Sequence, residues 1–191
     1  MEPKVTAIVL AAGEAKRFGS AKQLARVRGR TLVQHAVDAA SAADQIVVVL
    51  GARADEIEPE LALPPGARAV RNPAFAEGQS TSLRAGLGAA GDEAGAVVVL
   101  LADQPGVTAD DVRAVAEAHR ATGAPLVRAS YRGVPGHPVL IARSLFGEVA
   151  GETGDRGARD VLARHAELVL DVPVDRDPPG DVDRPGDLPA D

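Results

Sequence analysis

The chain of 191 residues contains no cysteine and no tryptophan, and its remaining aromatic residues are three phenylalanines and one tyrosine. Without cysteine, disulfides, thiolate metal sites and cysteine nucleophiles are all excluded. Proteins that read single-stranded nucleic acid stack its bases on aromatic side chains, so this scarcity argues against a nucleic-acid partner. The net charge of −6 argues against a general polyanion binder as well.

Long apolar runs are also missing. None approaches the roughly 18 residues that a membrane helix needs, so no membrane partner is expected. The opening Met-Glu-Pro-Lys lacks the pattern of a signal peptide, and a cytoplasmic protein is therefore expected. With 46% hydrophobic and 25% charged residues, the composition predicts one globular domain over residues 1–191.

Short β-branched apolar runs alternate with helical patterns along the chain. Strands are predicted at residues 5–11, 46–50, 97–101, 125–130, 138–141 and 167–174. Helices are predicted at residues 31–43, 54–61, 80–90, 109–122 and 155–165. Residues 132–137 are too rich in glycine and proline for a regular element, which predicts a loop. The alternation predicts an α/β fold, a single-domain Rossmann-like three-layer sandwich with a mostly parallel sheet.

The two ends of the chain differ in charge. Residues 1–30 carry seven Lys or Arg and two Glu, whereas residues 171–191 carry seven Asp and two Arg. One end could therefore meet an anion and the other a cation. The acidic C-terminal segment, about residues 175–191, is rich in proline and glycine. It is either partly flexible or docked through Val182 and Leu188.

A cationic loop opened by glycine follows the first predicted strand. It fits the pattern L-A-A-G-x(3)-R-x-G-x(2)-K-x-L, whose defined residues are Leu10, Ala11, Ala12, Gly13, Arg17, Gly19, Lys22 and Leu24. Small residues here let backbone N–H groups approach a phosphate or a base closely. The glycine spacing fits neither the P-loop nor the dinucleotide fingerprint. This loop predicts a nucleotide site in which Lys22 and Arg17 hold phosphates.

Other polar residues follow segments expected at the same edge of the sheet. Asp103 ends a buried apolar run, and its carboxylate suits Mg²⁺, although one carboxylate alone holds that ion poorly. Ser80 and Ser82 lie at the start of a predicted helix, where they could bind a base or ribose or merely cap the helix.

Basic residues in the second half of the chain are candidates for a phosphorylated acceptor. His137, between a glycine and a proline, could reach the acceptor or be structural. Arg156 and Arg159 offer a second anion site or belong to the helix surface. The remaining histidines, His35, His119 and His165, lie in amphipathic helices and are interpreted as structural.

Together these segments resemble the molybdenum cofactor nucleotidyltransferases, and within them the cytidylyltransferase branch. The resemblance runs from Val5 to Leu188 and is carried by L-A-A-G, D-Q-P at 103–105, G-x-S-x-S-L at 78–83, G-H-P-V at 136–139 and D-x-D-x-P-x-D-L at 181–188. It implies Mg²⁺ held by Asp103 and Asp183, with Asp181 as the alternative second ligand. It also implies catalytic roles for Lys22, Arg17 and Asp103.

The reaction implied by the resemblance moves CMP from CTP to the terminal phosphate of molybdenum-bound molybdopterin and releases pyrophosphate. His137 and Arg156 would then contact the acceptor, and a molybdenum hydroxylase would be the client. A guanylyltransferase that uses GTP on the same cofactor is one alternative. A sugar-phosphate or isoprenoid-precursor nucleotidyltransferase is another. A third is a non-catalytic cofactor carrier or chaperone for a molybdenum hydroxylase.

Overall fold

The computed structural model describes residues 4–15 and 18–189. Its strands are β1 (Lys4–Ala11), β2 (Arg26–Val27), β3 (Arg30–Thr31), β4 (Gln45–Leu50), β5 (Arg68–Arg71), β6 (Ala94–Leu101), β7 (Leu126–Tyr131), β8 (Val134–Ala142) and β9 (Val169–Val174). Its helices are α1 (Leu32–Ala40), α2 (Ala54–Ile57), α3 (Gln79–Ala90), α4 (Ala109–Thr122), α5 (Phe146–Gly151) and α6 (Arg159–Arg164). Short 3₁₀ turns, including Lys22–Leu24, connect several of these elements.

The main sheet has the strand order β5-β4-β1-β6-β8-β7-β9. The pairs β1–β4, β1–β6, β4–β5 and β7–β9 are parallel. Strand β8 runs antiparallel to both of its neighbours, β6 and β7. A mostly parallel sheet is therefore confirmed.

Successive residues of each central strand point to opposite faces, and each face is covered by helices. Val9 packs on the side of α1 and α4, where it joins a core that includes Val33 and Val112. The preceding residue, Ile8, packs on the side of α3, in a core that includes Leu83. Strands covered on both faces need the continuous β-branched runs seen in the sequence. This arrangement confirms the three-layer sandwich.

Helix α4 shows how local sequence sets element boundaries. Thr108 accepts a hydrogen bond from the N–H of Asp111, whose carboxylate accepts from the Thr108 N–H in return. Gly123 ends the helix at φ 71°, a left-handed conformation that glycine adopts without a steric penalty. In residues 4–15 and 18–189 every helix is too short or too polar to cross a lipid bilayer.

Three local predictions are wrong, and several short elements were not predicted. The predicted helix at 155–165 is reduced to α6, because Gly157 at φ 54° separates a 3₁₀ turn from that helix. Only Arg132 and Gly133 form the turn between β7 and β8, so the predicted loop at 132–137 mostly belongs to β8. The predicted helix at 54–61 ends at Ile57 and continues as a 3₁₀ turn, because Pro59 lacks a backbone N–H. Strand β5, the β2–β3 pair and helix α5 are each too short to show a clear periodic pattern.

The topology creates a crevice at the carboxyl ends of β1 and β6. The chain leaves β1 for β4 on one side and later returns to β6 on the other. Open α/β sheets bind ligands where the strand order reverses in this way. The Ala102 N–H donates to the Leu10 carbonyl at 3.1 Å, so the two strand ends stay joined where the loops begin.

Candidate nucleotide-binding site

A cleft of about 630 Å³ lies at this crevice, a volume typical of small-molecule sites. Its lining comes from the loop after β1, the start of α3, the end of β6 and two later segments. The lining residues are Leu10, Ala11, Ala12, Gly13, Glu14, Ala15, Lys22, Gln23, Phe75, Ala76, Gln79, Ser82, Leu101, Ala102, Asp103, Asp155, Arg159 and Asp183. Most of the predicted nucleotide-binding residues are therefore brought together.

The loop after β1 is held in place by a residue that was not predicted. The Gln23 side chain is 3% exposed, and its Nε2 donates to the carbonyls of Ala11 and Gly13 at 3.1 and 2.8 Å. These bonds fix the backbone on both sides of Ala12. The space beside Gly13 is open for 4 Å around an added Cβ, so a ligand can approach the backbone here.

Glycine at position 51 is required by the close approach of this loop. A Cβ added to Gly51 would lie 2.4 Å from the Ala12 carbonyl oxygen and 2.8 Å from the Ala12 Cβ. Any side chain at position 51 would therefore push the loop out of place. This is a steric requirement that the sequence pattern of the loop did not reveal.

Three charged side chains form a cluster at the rim of the cleft, here called the charged cluster: Lys22, Asp103 and Asp183. The Lys22 Nζ donates to Asp103 Oδ2 at 2.9 Å and to Asp183 Oδ1 at 3.2 Å. Burial lowers the pKa of Lys22, but the two carboxylates raise that pKa by more, so the ammonium is favoured. A positive charge is thus fixed between two carboxylates 80 residues apart in the chain.

The acidic C-terminal segment reaches this cluster through a short anchor. Val182 is 1% exposed and packs with Val27 and Leu32, and Leu188 contacts the same group. The Val182 N–H donates to the Asp103 carbonyl at 2.9 Å. This anchor places Asp183 beside Asp103. Asp181, the alternative ligand, accepts instead from Gln104 Nε2 at 2.6 Å.

The charged cluster offers oxygen ligands of the kind that Mg²⁺ prefers. Because both carboxylate oxygens contact one ammonium at 2.9 and 3.2 Å, they lie no more than about 6.1 Å apart. Asp103 Oδ1 is buried, and nothing in the described residues donates to it. No group of three or more His, Cys, Asp or Glu side chains able to hold a metal ion occurs in that part of the chain.

Uncharged residues form a second part of the lining, here called the neutral cluster: Phe75 in the 3₁₀ turn before α3, and Gln79 and Ser82 in the first turn of α3. Ser82 is 4% exposed, and its hydroxyl oxygen accepts from Asn72 Nδ2 at 3.0 Å. Ser80 is fully buried and does not line the cleft. Its hydroxyl has no hydrogen-bond partner in the described residues.

A smaller cavity adjoins the cleft and contains the predicted acceptor residues. His137 and Arg156 line it, and Arg159 lines both cavities. Burial lowers the pKa of His137, although a hydrogen bond with the Val99 carbonyl at 3.3 Å opposes this. The ring is therefore neutral, and its Nδ1–H donates to the Val99 carbonyl. Arg156 pairs with Asp160 at 3.0 Å, whereas Arg159 makes no ion pair with the described residues.

Two predicted residues of the opening loop are not in the described lining. Arg17 lies outside the described residues. Gly19 is exposed, has φ 79° and does not line the cleft. The three histidines interpreted as structural all have local partners: His35 contacts the Val27 carbonyl, His119 the Ala124 carbonyl and His165 the Glu148 carboxylate.

The sequence of the chain is similar to a known protein family and to individual known proteins. Residues 7–168 match the model of the MobA-like NTP transferase domain. The chain is 26% identical over 178 residues to the molybdenum cofactor cytidylyltransferase of Escherichia coli K12, a match that covers 88% of this chain and 90% of that protein. It is 38% identical over 109 residues to the bifunctional protein GlmU of Caulobacter vibrioides, covering 54% of this chain. The chain spans only 23% of that protein's length.

Solved structures share the whole fold. Rv0371c from Mycobacterium tuberculosis H37Rv superposes with a TM-score of 0.84 and 31% identity, covering 95% of this chain and 93% of that one. A structure of Rv0371C in complex with manganese superposes with a TM-score of 0.79 and 28% sequence identity, covering 95% of this chain and 94% of that one. The fold is also shared by molybdopterin-guanine dinucleotide biosynthesis protein A from Archaeoglobus fulgidus. Its TM-score is 0.64 at 18% sequence identity, covering 88% of this chain and 83% of that one.

Proposed function

The chain belongs to the MobA-like NTP transferase family, and we propose that it transfers CMP from CTP to the terminal phosphate of molybdenum-bound molybdopterin, with release of pyrophosphate. The observation that carries this proposal is the charged cluster, in which the Lys22 ammonium lies between Asp103 and Asp183 at the rim of the cleft. The similarity to the cytidylyltransferase over 88% of the chain supports the choice of CTP and of this acceptor.

The proposed reaction needs no general base. The second pKa of a phosphate monoester is about 6, so the acceptor's terminal phosphate is already a dianion near neutral pH. One of its oxygens attacks the α-phosphorus of CTP. A P–O bond forms there as the bond to the bridging oxygen breaks, and that bond's electron pair leaves with pyrophosphate. The protein's task is then to position the reactants and to neutralise charge.

The residues of the opening loop carry the triphosphate in this proposal. Backbone N–H groups of residues 12–15, which line the cleft, would face the phosphates. Gln23 holds this stretch through the carbonyls of Ala11 and Gly13. Lys22 turns from its carboxylates toward the triphosphate and stabilises the charge of the departing pyrophosphate. Arg17, although outside the described residues, is assigned the same role from the sequence pattern.

Asp103 and Asp183 would hold Mg²⁺ in this proposal. Both supply carboxylate oxygens near one point, and one oxygen of Asp103 is buried without a donor among the described residues. A bound Mg²⁺ would neutralise phosphate charge and orient the α-phosphate. The Mycobacterium tuberculosis relative solved as a manganese complex supports a divalent ion in this fold.

The acceptor is assigned to the smaller cavity. His137, as a neutral ring with its Nδ1 proton engaged, can accept a hydrogen bond through Nε2. Arg156 and Arg159 lie beside it and can meet an acceptor phosphate. A molybdenum hydroxylase would then be the protein that takes up the product.

Thermal-shift measurements with Mg²⁺ and each of the four nucleoside triphosphates test this proposal. A ligand at about 100 times its Kd adds about 2.7 kcal/mol of stability, which raises the Tm of a chain this size by roughly 5–10 °C. CTP should give the largest shift. A larger shift with GTP would favour a guanylyltransferase, and no shift with any triphosphate would favour a cofactor carrier.

A further inference from the structure

The orientation of one buried amide, that of Asn72, is determined by its partners. The Ala74 N–H donates to Asn72 Oδ1 at 3.0 Å, and a backbone N–H can only donate. The amide oxygen must therefore face Ala74, and the NH₂ group must face the other way. There it donates to Thr81 Oγ1 at 2.9 Å and to Ser82 Oγ at 3.0 Å. Asn72 itself is 5% exposed.

The two hydroxyls that Asn72 contacts differ in what their own protons can do. Thr81 Oγ1 lies 2.8 Å from the Gly78 carbonyl and 2.9 Å from the Ala74 carbonyl, and both can only accept, so its single proton is used inside the protein. Ser82 donates to no group in residues 4–15 and 18–189, and it lines the cleft. Since its oxygen already accepts from Asn72, the Ser82 proton is left for a ligand.

We propose that Asn72 is a positioning residue that holds Ser82 as a hydrogen-bond donor toward the O2 and N3 edge of cytosine. The inference rests on the proposed function, because it takes the cleft to be the nucleotide site. Cytosine presents acceptors at both O2 and N3. Uracil carries a proton at N3, so a fixed donor facing that edge meets another donor. Asn72 would thereby help to select CTP over UTP without touching the nucleotide.

The substitution Asn72→Asp tests the direction of the hydrogen bond between Asn72 and Ser82 with almost no change in side-chain shape. The Ala74 N–H can still donate to one carboxylate oxygen, but the other oxygen cannot donate to Ser82. Ser82 would donate to that oxygen instead, and its proton would leave the cleft. We expect the preference for CTP over UTP, measured as the ratio of the two Kd values at pH 8, to fall about tenfold. The ratio cancels the general repulsion between a new carboxylate and any triphosphate.

A pH series separates this role from a purely structural one. As the pH falls and the carboxyl introduced at position 72 becomes protonated, it can donate to Ser82 again, and the preference for CTP should return. Damage to the loop would not be repaired by acid. Ser82→Ala should lower the preference for CTP over UTP to a similar extent. The double variant should lose no more of that preference than either single variant, because both act on the same hydrogen bond.

Thr81→Val is the matched control, because it removes the other partner of Asn72 without altering the lining of the cleft. It should lower the Tm and leave the CTP-to-UTP ratio unchanged. An unchanged ratio in folded Asn72→Asp or in Ser82→Ala overturns the inference while the proposed function stands. If the wild-type protein binds no nucleoside triphosphate, the proposed function fails and this inference fails with it.

Discussion

The charged cluster and the neutral cluster line the same cleft but are assembled in different ways. Lys22, Asp103 and Asp183 come from three distant parts of the chain and meet through two ion pairs. Phe75, Gln79 and Ser82 come from one short segment, which hydrogen bonds from Asn72 and Thr81 hold locally. Charges act strongly on phosphates, whereas single hydroxyls and amides distinguish bases. The comparison predicts losses of rate in the first cluster and losses of selectivity in the second.

Lys22→Ala should have the largest effect. It removes the cation proposed to stabilise the charge of the departing pyrophosphate, so turnover should fall about 100- to 1,000-fold. The rate of pyrophosphate release from CTP, with the acceptor present, measures this. Lys4→Ala is the control, since Lys4 pairs with Glu93 on the surface. Near-normal turnover in folded Lys22→Ala would remove the charged cluster from catalysis.

Asp103→Asn and Asp183→Asn should each weaken divalent-ion binding by about tenfold or more. Each substitution removes one of the two carboxylates that converge on the same point. Titration with Mn²⁺ in the presence of CTP, followed by electron paramagnetic resonance, reports binding directly. Asp181→Asn is the matched control, because Asp181 bonds to Gln104 instead. An equal loss in that control would transfer the second ligand position to Asp181.

Ala12→Gly should change selectivity rather than rate. The Ala12 methyl lines the cleft and lies against Gly51, so removing it opens space for a larger base. One methyl in a pocket changes the discrimination between two substrates by roughly 10- to 200-fold. The ratio of kcat/KM for CTP to kcat/KM for GTP should therefore fall by a factor of up to about 200. Ala76→Gly removes a methyl elsewhere in the cleft and should leave the CTP-to-GTP ratio of kcat/KM unchanged. An unchanged ratio in Ala12→Gly would place the base elsewhere.

Arg159→Ala should have the smallest effect, a rise of several-fold in the KM for the acceptor. Arg159 lines both cavities and has no ion-pair partner among the described residues, so its charge is available to an acceptor phosphate. Arg156→Ala is the comparison, because Arg156 is 68% exposed and already paired with Asp160. A larger KM effect from Arg156→Ala would reverse this assignment.

The two clusters also show what could be predicted from the sequence. The central strands and α4 follow from apolar runs and capping residues, and their predicted positions are confirmed or shift by a few residues. The segment around Ser82 is local, so its place at a helix start could be predicted from its own residues. The direction in which the Ser82 hydroxyl donates depends on Asn72, whose hydrogen bonds only the folded structure reveals.

The charged cluster could not be derived from local pattern. Nothing in the residues around Asp183 indicates contact with Lys22, 161 residues earlier, and only the resemblance to a family suggested the pairing of Asp183 with Asp103. Gln23 was missed because a glutamine after a lysine carries no distinctive signal. Its role depends on two carbonyls that point toward it once the loop has folded. Gly51 was missed for the same reason.

The most direct test is to identify the product. Purified protein is incubated with Mg²⁺, molybdenum-bound molybdopterin and equal concentrations of CTP and GTP, and the products are separated and identified by mass spectrometry. We expect mainly the cytosine dinucleotide form of the cofactor, with one pyrophosphate released for each CMP transferred. Mainly the guanine dinucleotide form would contradict the cytidylyl assignment. No dinucleotide of either kind would contradict the proposed reaction itself.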